Sequence, residues 1–216
     1  GINQDKVNWD EGMVKVYDRM ADDQYYTDVT NMMIFPGNHD TDRIADVVDG
    51  DIPRLKIIMT LMATLRGYPQ IFAGDELAVR STDRSQGHGG LRVNFDDNWV
   101  NEAQRKDLHD YFCSLFNFRK SSDAIHNGKT MHFLERDNTY AYFRYTRDDV
   151  VFVFVNNNPH AVKIPWEKYQ EFTVTLPDGQ WQDVVAGSNV NTNNLNINEK
   201  SAIVLHFVPS GSVQRQ

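Results

Sequence analysis

From the N-terminus to about residue 120, short apolar runs alternate with segments whose apolar residues recur at helical spacing. Trp9, Met13, Tyr17 and Met20 predict a helix over 9–21, with Asn8 as its N-cap and Glu11 three residues on. Met32–Phe35 reads as a strand. Asp51 and Pro53 open a helix over 53–66, and Leu55, Ile58, Met59, Met62 and Leu65 make it apolar nearly all round, the pattern of a buried helix. Arg66-Gly67 closes it, and "PQIFA" (69–73) reads as a second strand. A Gly-rich loop leads to a helix over 101–119 with the stripe Leu108, Tyr111, Phe112, Leu115 and Phe116. Strand, loop, helix, repeated, is the unit of an α/β fold with parallel strands. Polar clusters follow both strands at their carboxyl ends, where such folds place their sites. Two units cannot cover both faces of a parallel sheet, so this half reads as incomplete.

After "SSDAIHNGK" (121–129) the period changes to two. "TYAYFRYTR" (139–147), "VVFVFVN" (150–156), "EFTVTL" (171–176), "WQDVV" (181–185) and "SAIVLHF" (201–207) all read as strands. Arg147-Asp148-Asp149 and Pro177-Asp178-Gly179 read as turns, and the Asn-rich stretch 188–198 as a loop with a short strand. Short strands with frequent turn signals argue for an antiparallel sandwich.

Composition narrows the partners. The 216 residues are 40% apolar and carry a net charge of −8 without a basic run, which disfavours nucleic acid and acidic membrane surfaces and favours a neutral substrate. A membrane span of about 18 apolar residues is not found. The one cysteine, Cys113, sits in a helical apolar pattern and permits no internal disulfide. The polar opening "GINQDKVNWDEG" shows no signal peptide and reads as a cut through a longer chain.

The chemistry concentrates in "FPGNHDTDR" (35–43), directly after the first predicted strand. A turn accounts for Pro36, Gly37 and Asn38, and a helix cap for some of the rest. Neither needs a histidine, two carboxylates and a guanidinium within five residues. His39 and Asp40 are adjacent and point apart, which argues against a metal pair. Asp75 and Glu76 in "FAGDEL" suggest the two carboxylates of glycoside hydrolysis, but sequence neighbours rarely face one substrate atom from opposite sides, so a structural part suits them better. "QGHGGLR" (86–92) lacks the Lys-Ser/Thr of a phosphate loop. Trp166 and Trp181 could stack on sugar rings, though sheet packing is the simpler use of both.

Taken together, "NMMIFPGNHDTDR", "LRGYPQIFAGDEL" and "DRSQGHGGLRVNF" resemble the α-amylase family of glycoside hydrolases (family 13), in particular its neopullulanase and cyclomaltodextrinase types. The likeness implies α/β plus all-β architecture: the last two βα units of a (β/α)8 TIM barrel over 1–120, then an antiparallel C-terminal β-sandwich over 121–216. It further implies that Asp40 is the third catalytic carboxylate, a transition-state stabiliser that grips the 2- and 3-hydroxyls of the sugar being cleaved, and that His39 donates to the same sugar. Asn38 is implied as a substrate-binding residue, and Arg43, Asp83 and Arg92 fall where substrate-contacting or loop-bracing residues occur. The family's nucleophile aspartate and acid glutamate lie on earlier strands, and neither motif is present.

The expected function is that of the C-terminal portion of a retaining hydrolase acting on α-glucans such as starch, pullulan or maltooligosaccharides, inactive alone. The competing readings are a non-catalytic amylase-like scaffold and a starch-binding module built from the β half. An intact Asn38-His39-Asp40 favours the enzyme. Expected partners are an α-glucan oligosaccharide and either the N-terminal part of the same protein or a second copy. No cofactor is expected, with room left for a structural calcium in the full-length protein. The compartment stays open between extracytoplasmic and cytoplasmic.

Overall fold

A computed structural model describes residues 1–6, 8–134 and 136–210, the side chains of Arg84 and Gln86 excepted. The first helix, Val14–Ala21 (α1), starts later than its apolar spacing predicts. Gly12 stands at φ +80°, in the left-handed region, and breaks the helical path before it reaches Trp9, which is 98% exposed. Asn8 and Glu11 pair with each other in an isolated bridge instead of capping. The N–H of Met13 donates to Asn138 Oδ1 at 3.0 Å, so the cap comes from far along the chain.

Met33–Ile34 (β1) pairs in parallel with Tyr68–Pro69 (β2), Met33 opposite Tyr68. Between them lie Ile44–Val47 (α2) and Ile52–Thr64 (α3). Asp51 caps α3 as expected, its Oδ1 accepting from the Arg54 N–H at 3.1 Å. The predicted strand over 69–73 is shifted towards the N-terminus, and the ladder ends with Gln70 N–H donating to Ile34 O at 2.8 Å. Among the described residues neither β1 nor β2 has a second neighbouring strand. Beside β1 runs a groove of about 930 Å³ whose lining includes Met33, Phe35, Val47, Ile58 and Met62. Short 3-10 helices at Asp75–Leu77 and Trp99–Asn101, with a pair of 3-10 turns kinked at Gly87 over Arg84–Leu91 between them, lead to Ala103–Ser121 (α4) and Asp123–His126 (α5). Buried Arg119 of α4 donates to the carbonyls of Ala63 (2.9 Å), Leu65 (3.1 Å) and Gly67 (2.6 Å), satisfying backbone acceptors where α3 ends.

The second half supplies Lys129–His132 (β3), Thr139–Tyr145 (β4), Val150–Asn156 (β5), Val162–Lys163 (β6), Gln170–Thr173 (α6), Gly179–Asp183 (β7), Asn189–Val190 (β8), Asn196–Ile197 (β9) and Ser201–Pro209 (β10). Six strands form one sheet in the order β3-β4-β5-β10-β7-β8, each pairing antiparallel, and β6 pairs with β9 in a separate ribbon. Alternation decides which side chain faces where. Tyr142 of β4, Val153 of β5 and Val204 of β10 pack with Leu61 of α3 and Leu115 of α4. The alternate residues Phe143, Phe152 and Leu205 pack with Tyr169, Phe172 and Ile197 on the opposite face. β5 is buried on both faces, which explains its unbroken apolar run.

The stretch 171–176 is not a strand. A 3-10 helix at Trp166–Tyr169 continues into α6, so Tyr169 and Phe172 fall on one side. Phe172 stacks on Phe143 with centroids 4.2 Å apart, while Val174 is left 74% exposed. Aromatic anchoring at helical spacing outweighs the β preference of Thr and Val here. Trp166 and Trp181 lie 6.1 Å apart, centroid to centroid, against the same aromatic cluster, which is the sheet-packing use of both.

Candidate functional site

Beyond β1, Phe35-Pro36-Gly37 turns the chain out of the ladder, and Asn38 builds the next turn with its own side chain. Its Oδ1 accepts from the Asp40 N–H at 2.8 Å, and its backbone N–H donates to Thr41 Oγ1 at 2.9 Å. This turn brings His39 and Asp40 to the surface at the carboxyl end of the strand. The Asp40 side chain is 60% exposed. Its Oδ1 lies 3.2 Å from His88 Nδ1, and its Oδ2 lies 3.4 Å from His39 Nε2, long for a hydrogen bond. An ionised carboxylate only accepts, so His88 donates through Nδ1–H. The carboxylate thus stands between two imidazoles with lone pairs to spare for other donors.

Arg43 takes the opposite course. It is 2% exposed and faces inward. Its Nε donates to Leu91 O at 3.0 Å, its Nη1 to Ala73 O at 2.9 Å and to Asp75 Oδ1 at 3.3 Å. Its guanidinium also lies over the Phe72 ring, 4.2 Å from the centroid. Of the two uses expected for Arg43, the geometry selects bracing: the side chain fastens the end of β1's loop to the segment after β2. Asp75 is fully buried, and burial pushes its carboxyl up to about 7; the Arg43 guanidinium pulls the other way, and the Glu76 charge adds to the rise. Glu76 Oε2 accepts from the Gly74 N–H at 2.9 Å. Both acids of "GDE" are engaged with the scaffold.

The 81–92 loop is fastened from several sides. Asp46 accepts from the Ser81 N–H at 2.9 Å and from Arg80 Nε at 3.0 Å. Asp83 caps the following 3-10 helix, its Oδ1 accepting from the Ser85 N–H at 2.9 Å. Gly90 passes so close to Asp83 that a Cβ would stand 2.0 Å from the Asp83 carbonyl oxygen. Arg92 Nη1 donates to His88 O at 3.0 Å. Asp83 and Arg92, expected to contact substrate or to brace a loop, frame the loop that carries His88. Between this loop and the Asp40 turn lies a cavity of about 150 Å³, lined by Asp40, Asp42, Ser81, Gly87, His88 and Leu91 among others.

Of the residues singled out in the sequence, His39 and Asp40 stand at this surface, Asn38 shapes the turn below them, and Arg43, Asp83 and Arg92 hold the scaffold. His88 was missed. Its only signal was its place in "QGHGGLR", because nothing in that spacing reveals which residue the loop folds onto. Among the described residues, no three or more His, Cys, Asp or Glu side chains converge to hold a metal ion, and no helix is long and apolar enough to cross a membrane.

Comparison with known proteins places the chain among others of similar sequence and fold. Residues 3–114 match the family described as alpha amylase, catalytic domain, and residues 130–206 match the cyclo-malto-dextrinase C-terminal domain. The chain is 29% identical over 162 residues to a beta/alpha-amylase of Paenibacillus polymyxa, covering 72% of this chain and 13% of that protein. It is 27% identical over 132 residues to a cyclomaltodextrinase of Geobacillus thermopakistaniensis, covering 60% of this chain and 21% of that one. The chain thus spans well under a third of either relative. In fold it resembles the alpha-amylase from Geobacillus thermoleovorans solved with acarbose, with a TM-score of 0.73 at 18% identity over 97% of this chain and 45% of that one. It likewise resembles AmyP in complex with maltose, with a TM-score of 0.73 at 19% identity over 94% and 46% of the two chains.

Proposed function

Because this chain belongs to the α-amylase family through its catalytic-domain match, we propose that it is the C-terminal portion of a retaining hydrolase of α-glucans, with Asp40 as the carboxylate that grips the reacting sugar. The observation that carries the reading is the placement of Asp40: exposed, at the carboxyl end of a parallel strand, beside a cavity and flanked by two imidazoles. Hydrolysis with retention needs two other carboxylates about 5 Å apart. One attacks the anomeric carbon while the other, as an acid, protonates the departing glycosidic oxygen. Water then releases the sugar from the enzyme as the second group takes back a proton. No motif for either carboxylate was found in the sequence.

Asp40 does a different task. An ionised carboxylate offers about four lone-pair positions. With one oxygen bonded to His88 and the other near His39, it retains acceptors for two neighbouring sugar hydroxyls. As positive charge builds on the ring, hydrogen bonds from those hydroxyls to a carboxylate strengthen, so they stabilise the transition state more than the bound substrate. His39 is positioned to donate to the same ring. The partner along the groove beside β1, where Met33 is 59% and Phe35 40% exposed, is the earlier part of the same protein.

The test is direct. The purified 216-residue chain should release no sugar from starch, pullulan or cyclodextrin, and the full-length parent should hydrolyse at least one of them. Turnover by the short chain, free of contaminating amylase, would mean that the missing carboxylates have been misassigned.

A further inference from the structure

The loop that follows β2 is fastened at many points, and its exposed surface meets the Asp40 turn through the His88 side chain. His88 Nδ1 lies 3.2 Å from Asp40 Oδ1. The two residues are 63% and 60% exposed, so neither is held there by packing. What holds His88 is its backbone. Arg92 Nη1 grips its carbonyl at 3.0 Å, and Thr82 N–H donates to Gly90 O at 3.0 Å. Arg43 Nε, from the Asp40 side, fixes Leu91 O at 3.0 Å. The same buried guanidinium therefore sets the distance between the turn carrying Asp40 and the loop carrying His88.

The geometry points to His88 as a positioning residue for Asp40: its Nδ1–H fixes the orientation of the carboxylate across the cavity so that the second oxygen is presented to the sugar. This rests on the reading of Asp40 given above. A short side chain on an exposed turn samples more than one staggered rotamer, and a charge-assisted hydrogen bond from a second loop selects one of them. His39 does not do this, since its ring stands 3.4 Å from the other oxygen at a distance too long to fix it. The two imidazoles divide the work, with His88 orienting and His39 left free to donate.

The experiment is a double-mutant cycle in the full-length parent enzyme, with kcat and KM measured on an aryl maltooligosaccharide. His88→Phe keeps a ring and loses the donor; it should lower kcat about tenfold with KM changed less than about threefold. His88→Asn places an amide N–H near the position of Nδ1 and should restore kcat to within about threefold of wild type. In an Asp40→Asn background, His88→Phe should add almost nothing, because its effect passes through Asp40. A wild-type kcat for His88→Phe, or the same fold loss in both backgrounds, overturns the assignment of His88. An Asp40→Asn enzyme that keeps its kcat overturns the reading of Asp40 itself, so the two failures are told apart. Melting temperatures within about 2 °C of wild type exclude a folding defect, as expected for two exposed side chains.

Discussion

Removing the Arg43 guanidinium should destabilise the protein by an amount that grows with pH. In Arg43→Met the hydrogen bonds to Leu91 O, Ala73 O and Asp75 are lost together with the contact over Phe72. Breaking one side of a buried ion pair costs about 3–5 kcal/mol when the remaining charge has no escape. Asp75 has one. Its carboxyl already lies at about 7, against an ordinary value of 3.8, chiefly through burial. A carboxyl raised in the folded state favours folding in its protonated form, so its contribution is complete below about 4 and is lost as pH climbs through about 7. Without Arg43, which pulls the value down, the carboxyl rises further. At pH 5 both proteins bury a protonated Asp75, and the loss reduces to the missing hydrogen bonds, about 2–3 kcal/mol. Above pH 7 the variant must keep its proton while the wild type need not, and the gap widens by about 1.4 kcal/mol per pH unit. Urea unfolding followed by tryptophan fluorescence at pH 5, 7 and 8.5 measures it. A difference that is constant with pH would refute the argument, as would an Arg43→Met/Asp75→Asn protein that keeps the pH slope.

Two further predictions concern the β half. Phe172→Ala should cost about 3–4 kcal/mol in urea unfolding, while Val174→Ala should stay within about 0.5 kcal/mol; equal losses would mean that 170–175 is paired as a strand after all. Burial opposes the ionisation of Asp149, but hydrogen bonds from His206 Nε2 (2.9 Å), the Ala124 N–H (2.8 Å) and Ser122 Oγ (2.7 Å) hold its carboxyl below the usual range. Its contribution is therefore present at neutral pH and lost as pH falls below about 4, and Asp149→Asn should flatten the acid limb of the stability profile, with an unchanged limb counting against the assignment.

What could be read in the sequence follows from how local each signal is. Asp51 capping α3 involves neighbours three residues apart, and the β-branched and aromatic runs that make β4, β5 and β10 strands are a property of each segment alone. Both were legible. The Asn38-His39-Asp40 turn could be singled out as a candidate site because its turn chemistry explains only Asn38. The late start of α1 was not, because the cap at Met13 comes from Asn138 and the break at Gly12 depends on backbone angles. Which of its two expected uses Arg43 takes was not legible, because the carbonyls of Ala73 and Leu91 that turn it inward are brought in from another loop. His88 belongs to the same class, since its meaning lies in the residue it meets across the cavity.

The central claim is that Asp40 grips the sugar at the transition state. Its most direct test is Asp40→Asn in the full-length parent, which keeps size and polarity and removes the charge. The expected result is a fall in kcat equivalent to about 2–4 kcal/mol, with ground-state binding of a maltooligosaccharide changed much less. An unchanged kcat would contradict it and reduce Asp40 to a turn residue.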